Sequence, residues 1–100
     1  MRIDINGKGF DVSDRVQAHA LEKGEKLTKY LDLIQQVIFR IEHHEKTGYT
    51  VECVVDVEKH DDFIATSSAT DVFAAIDDAI HKASRQLTDF KEKLKQERHH

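Results

Sequence analysis

The chain has 100 residues, 34% of them charged, with no proline, one cysteine and a formal net charge of −4. That length holds one core and one domain; no run approaches the roughly eighteen apolar residues that a membrane span needs, and Cys53 has no second cysteine to pair with. The acidic balance argues against indiscriminate nucleic-acid binding over the whole surface.

The opening "MRIDINGKGF" contains no apolar h-region, so no secretory leader is expected and the cytoplasm is the default compartment. "RIDIN" alternates, with Ile3 and Ile5 on one side and Arg2, Asp4 and Asn6 on the other, which predicts a half-buried strand. "GKGF" is a turn. Ser13 is a good N-cap, and Asp14 suits the positive end of a helix dipole. Val16, Ala20, Leu27 and Leu31 mark a helical stripe reaching about Leu31. Gly24 interrupts that stripe at a cost of about 1 kcal/mol relative to Ala; it marks either a close approach of another backbone or a weak point.

"QVIFRIEH" alternates again, with Val37, Phe39 and Ile41 on one face. "EKTGY" reads as a hairpin turn around Gly48. "VECVVDVE" sends Val51, Cys53, Val55 and Val57 inward and Glu52, Asp56 and Glu58 outward; Cys53 reads as a small buried hydrophobe. "KHDD" is a turn and "FIATSSAT" a further strand. Thr70 or Asp71 then caps a long helix whose apolar residues are Phe73, Ile76, Ile80, Ala83, Leu87, Phe90 and Leu94. If it reaches Lys95 it is about 36 Å long.

The order is β-α-β-β-β-α. The sheet offers one apolar face and each helix one apolar stripe, so the predicted fold is α+β: a two-layer sandwich of a four-stranded sheet with both helices on one face. The whole chain, residues 1–100, reads as one domain with a disordered tail from about residue 96. The expected core is Ile3, Ile5, Val16, Leu27, Leu31, Val37, Phe39, Ile41, Val51, Val55, Phe73, Ile76, Ile80, Leu87 and Phe90. Asp4, Arg40, Glu42, Glu52, Asp56 and Glu58 are expected on the open sheet face.

Catalytic and metal chemistry find little support. His43 and His44 are adjacent, so on a strand they face opposite sides, and no His-x₃-His or Cys-x₂-Cys spacing occurs. Ser67 and Ser68 lack a G-x-S-x-G elbow, and "GKGF" lacks the P-loop pattern. The expectation is a non-enzymatic protein without cofactor, metal or small-molecule substrate.

Charge is unevenly spread. Residues 37–70 carry three bases and seven acids, whereas residues 82–98 carry six bases and three acids. The open sheet face lacks outward aromatics and is acidic, which excludes base stacking there. The helices differ: Lys23, Lys26 and Lys29 share a broad face of the first, Lys82 and Arg85 one face of the second, and Lys91, Lys95 and Arg98 another. Side by side, the helices could present these bases together. Against this stand four i,i+4 pairs in the favourable order, Glu22–Lys26, Glu25–Lys29, Asp78–Lys82 and Asp89–Lys93, which would make the same faces merely solvated.

"DVFAAIDDAIHKASRQL" followed by "KEKLK" resembles the C-terminal helix of the ribosome hibernation promoting factors, also known as ribosome-associated inhibitors or sigma-54 modulation proteins. "INGKGFDVSD" and the stretch Glu22 to Asp32 are similar to that family's first strand and first helix, and the element order is also theirs. At 100 residues the chain resembles a short form without the C-terminal dimerisation domain of long forms. Gly24 stands where the family often has a large apolar residue, and Thr88 and Asp89 where it usually has bases. The resemblance implies a cytoplasmic stress factor that occupies the mRNA and tRNA channel of the small ribosomal subunit. It implies rRNA contacts from Lys23, Lys26, Lys29, Lys82, Arg85 and Lys91, to which the helical spacing adds Lys95, and a ribosome modulation factor as a further partner. The alternative is a diverged adaptor that takes a protein partner on its acidic sheet face or a strand edge.

Overall fold

The computed structural model describes residues 1–97. Its elements are β1 (Arg2–Lys8), α1 (Asp14–Thr28), β2 (Ile34–His44), β3 (Gly48–Val57), β4 (Phe63–Ala69) and α2 (Val72–Glu97). The strands form one sheet in the order β1-β2-β3-β4; β1 runs parallel to β2, and the other pairs are antiparallel. α1 packs over β1 and β2, α2 over β3 and β4, and the helices touch each other. This is the predicted α+β sandwich with both helices on one face. Of the expected disordered tail, residues 98–100 lie outside the described residues; α2 itself continues through Glu97.

Local chemistry sets the boundaries. The Val16 N–H donates to Ser13 Oγ at 3.2 Å, and the Ala74 N–H to Asp71 Oδ2 at 3.1 Å, so Ser13 and Asp71 satisfy otherwise orphaned donors at the helix starts. α1 ends at Thr28, short of the apolar stripe, because the Lys29 N–H turns back to the carbonyls of Leu27 and Lys26. Leu31 is still buried, but in the turn that follows the helix.

The inner face is built in rows across the sheet: Ile3, Val37, Val55 and Phe63, then Ile5, Phe39, Cys53 and Ala65. Burial pushes the Cys53 thiol up to about 12, so it is an inert packing group at neutral pH. Gly24 fits this layer closely. A Cβ there would stand 3.1 Å from Ile3 Cδ1 and 3.3 Å from Phe39 Cε2, so the close approach is to side chains rather than to another backbone.

Two expectations about burial need correction. α2 rests on the sheet through Val72, Ala75, Ile76, Ala79, Ala83 and Leu87. Phe73, Ile80 and Phe90 are only partly buried, as are Ile3 and Ile5 on the edge strand. The alanines let the helix lie low, so the larger side chains flank its seam instead of filling it. The open face also differs. Asp4, Ile38, Val54 and Ile64 form one row across all four strands. Val54 is buried there by its neighbours, while Ile64 is 53% exposed. Beside that row, Arg40 pairs with Glu52 at 2.8 Å, so the face is an apolar row among partly neutralised charges. Glu58 lies beyond the end of β3.

Candidate nucleic-acid interface

The seven predicted bases do not form one cluster. α2 has two flanks, and its helical period sends the bases to different ones. Ile80, Ser84, Lys91 and Lys95 leave on the flank facing α1, as the depressions they line show. Lys82 leaves on the opposite flank. Its Nζ donates to the Thr66 carbonyl at 3.0 Å and lies 3.5 Å from Asp78. One turn on, Gln86 Nε2 donates to the Ile64 carbonyl at 3.1 Å. Together they occupy acceptors on the outer edge of β4. Arg85 stands exposed on the crest between the flanks.

Along the seam between the helices the bases converge in two adjoining depressions. In the first, Lys23 and Lys26 of α1 face Asp77, His81 and Ser84 of α2. In the second, Lys29 at the C-cap of α1 meets Lys91 and Lys95, with Asp32 as the one acid. Tyr30 lines both.

Pairing divides these lysines further. Asp77 accepts from His19 Nε2 at 2.7 Å and lies 4.0 Å from Lys23 Nζ. Lys26 lies 3.5 Å from Glu22. Of the four possible i,i+4 pairs, Glu22–Lys26 and Asp78–Lys82 close; Glu25–Lys29 and Asp89–Lys93 do not. Lys29, Arg85, Lys91 and Lys95 have no ion-pair partner among the described residues.

Asp78 has a structural tie as well. It accepts the hydroxyl proton of Ser67, a buried polar side chain on β4. That hydrogen bond, aided by Lys82, holds its carboxyl below the usual aspartate range against the opposing effect of desolvation.

Three features were not read from the sequence: the His19–Asp77 tie between the helices, the cover that Lys82 and Gln86 place on β4, and Tyr30. The signal for Tyr30 was its place beside Lys29 in "KLTKYLD", at the end of a basic stripe.

The profile of a family described as sigma 54 modulation protein / S30EA ribosomal protein matches residues 3–95. This chain belongs to that family. Curated proteins resemble this chain over nearly its whole length as well. A ribosome hibernation promoting factor of Escherichia coli K12 is 33% identical over 96 residues, covering 96% of this chain and 99% of its own length. One of Azotobacter vinelandii is 33% identical over 95 residues, covering 93% and 85%. Two solved structures share the fold at 22% identity and a TM-score of 0.79: a ribosomal subunit interface protein from Coxiella burnetii, covering 92% of this chain and 99% of that one, and the N-terminal domain of Thermus thermophilus Protein Y, covering 90% and 99%.

Proposed function

We propose that this chain is a ribosome hibernation factor that binds the small ribosomal subunit and its rRNA, occupies the channel used by mRNA and tRNA, and so blocks translation. Membership of a family whose curated relatives carry that name supports the general role. The observation that carries the interface is the meeting of Lys29 with Lys91 and Lys95 from two helices, three cations to one carboxylate in a single depression. Such groups contact phosphates and fix position without reading base sequence. Lys23, Lys26 and Arg85 extend the basic surface on either side. Lys82 contributes charge from the far flank while remaining tied to β4. No bond is made or broken, no cofactor is required, and the site of action is the cytoplasm.

The test is co-sedimentation with small subunits from the same source over a salt series, with an in vitro translation assay beside it. Binding that weakens steeply with salt and tracks inhibition supports the reading. Salt-independent binding, or none, overturns it. Repeating the experiment with a ribosome modulation factor reads that further partner.

The adaptor reading keeps one observation in its favour, the apolar row Ile38, Val54 and Ile64 on the open face. The β4 edge itself is covered by Lys82 and Gln86. Ile64→Lys separates the two: it abolishes partner capture by an adaptor and leaves small-subunit binding unchanged.

A further inference from the structure

Tyr30 is the one exposed phenylalanine or tyrosine among the described residues, at 44%. The other aromatics are packed: Phe10 on Tyr49, His19 on Phe73, and Phe63 on Phe90. Tyr30 follows α1 directly, with its N–H bonded to the Leu27 carbonyl at 3.1 Å, so its backbone is held by the end of the helix. It lies where the two basic depressions meet, with Lys26 on one side and Lys29, Lys91 and Lys95 on the other.

A phosphate-binding patch has no need of an exposed ring. A basic groove with an aromatic platform is the arrangement that holds unpaired nucleotides, because a base stacks on the ring while lysines follow the backbone. In a duplex the base faces are covered by their neighbours and are not offered to a side chain. We infer that Tyr30 is a stacking platform for an unpaired RNA base, and that the seam between α1 and α2 prefers single-stranded to duplex RNA. This rests on the rRNA-binding reading above and narrows it: the target is a splayed-out nucleotide rather than a helical stem.

The chain has no Trp and two Tyr, so Tyr49→Phe leaves Tyr30 as the sole tyrosine reporter. Titrating that variant with single-stranded oligouridylate at low salt is expected to quench its emission saturably. Duplex RNA of equal length and polyglutamate of equal charge are expected to leave it unchanged. On small subunits, Tyr30→Leu keeps apolar bulk without a π face. It should lower affinity about five- to 150-fold, the range for losing one base–aromatic stack, with the salt slope unaltered. Tyr30→Phe should stay within about twofold. Absence of quenching, or quenching by polyglutamate as strong as by RNA, overturns the platform, as does Tyr30→Leu binding like the parent. Lys91→Glu with Lys95→Glu distinguishes the two levels. If it abolishes small-subunit binding while Tyr30→Leu is silent, the rRNA reading stands and the platform falls. Quenching by oligouridylate without any small-subunit binding keeps the platform and removes the ribosome.

Discussion

Ser67 on β4 donates its hydroxyl to the carboxylate of Asp78 on α2, so a buried serine is satisfied by a residue of the helix that covers it. The bond couples the second layer to the sheet at a defined register.

It also sets an acid dependence. The folded-state pKa of Asp78 is depressed, first by Ser67 and then by Lys82. A depressed carboxyl contributes stability that is fully present above its unfolded value, about 3.9, and is lost as pH falls through its folded value. Denaturant midpoints should therefore drop below about pH 4, and Asp78→Asn should remove that share of the decline. Ser67→Ala should lower stability by about 1 kcal/mol at pH 7 and return the Asp78 titration, read by NMR, towards the ordinary range. An unmoved titration would show that the hydroxyl is not the cause.

The basic residues should separate into two phenotypes. Lys91→Glu with Lys95→Glu removes two contacts from the seam. The log–log salt dependence of small-subunit binding should flatten by about 1.4 to 1.8 units, affinity should fall at least tenfold, and stability should move by no more than about 0.5 kcal/mol. Lys82→Gln should do the reverse, costing up to about 1 kcal/mol of stability with a smaller effect on binding. Equal binding losses in both variants would place Lys82 in the interface despite its tie to Thr66.

Lys82 and Gln86 cover the carbonyls of Thr66 and Ile64 on an edge strand, and exposed strand edges template pairing between chains. Lys82→Ala with Gln86→Ala should raise thioflavin T signal and light scattering on prolonged incubation at concentrations where the parent stays clear. The Ile64 side chain, exposed beside that edge, supplies apolar area for such growth. Unchanged scattering would mean the edge is protected by other means.

Gly24 sets a loss against a gain. Ala would recover about 1 kcal/mol of helix propensity but must displace Ile3 Cδ1 or Phe39 Cε2 by a few tenths of an ångström. Ile3 lies on an edge strand and can give, so Gly24→Ala should change stability by less than about 1 kcal/mol. Gly24→Leu cannot be accommodated by such a shift, and overpacking should cost about 1–3 kcal/mol or more. Thermal melts of both variants check this; a stabilising Leu would mean that α1 sits farther from β1 than described.

The elements and the layer order were legible because alternation, turn residues and helix caps agreed with one another. The Lys-rich stripe of α1 was legible too. What failed depended on the third dimension. In the doublet Val54–Val55, Val55 was read inward and its neighbour was left unassigned, so the open-face row with Ile38 and Ile64 went unseen. Ala75 and Ala79 were left out of the apolar stripe of α2, although they are what bring the helix down onto the sheet. The role of Lys82 depends on which side of α2 faces β4. That is decided by tertiary packing, and no local spacing of charges reports it.

β1 joins the sheet only through its parallel pairing with β2, Ile3 beside Val37 and Ile5 beside Phe39, with all of α1 in between. β2, β3 and β4 instead pair across short turns. Closing the longer loop carries the larger entropy loss, so the meander and α2 should assemble first and the N-terminal strand should dock late. In stopped-flow chevrons, Val51→Ala should slow folding, whereas Ile5→Ala should mainly speed unfolding. The strand made before the other three is then the last to be seated, and until it arrives that edge of β2 stays unpaired.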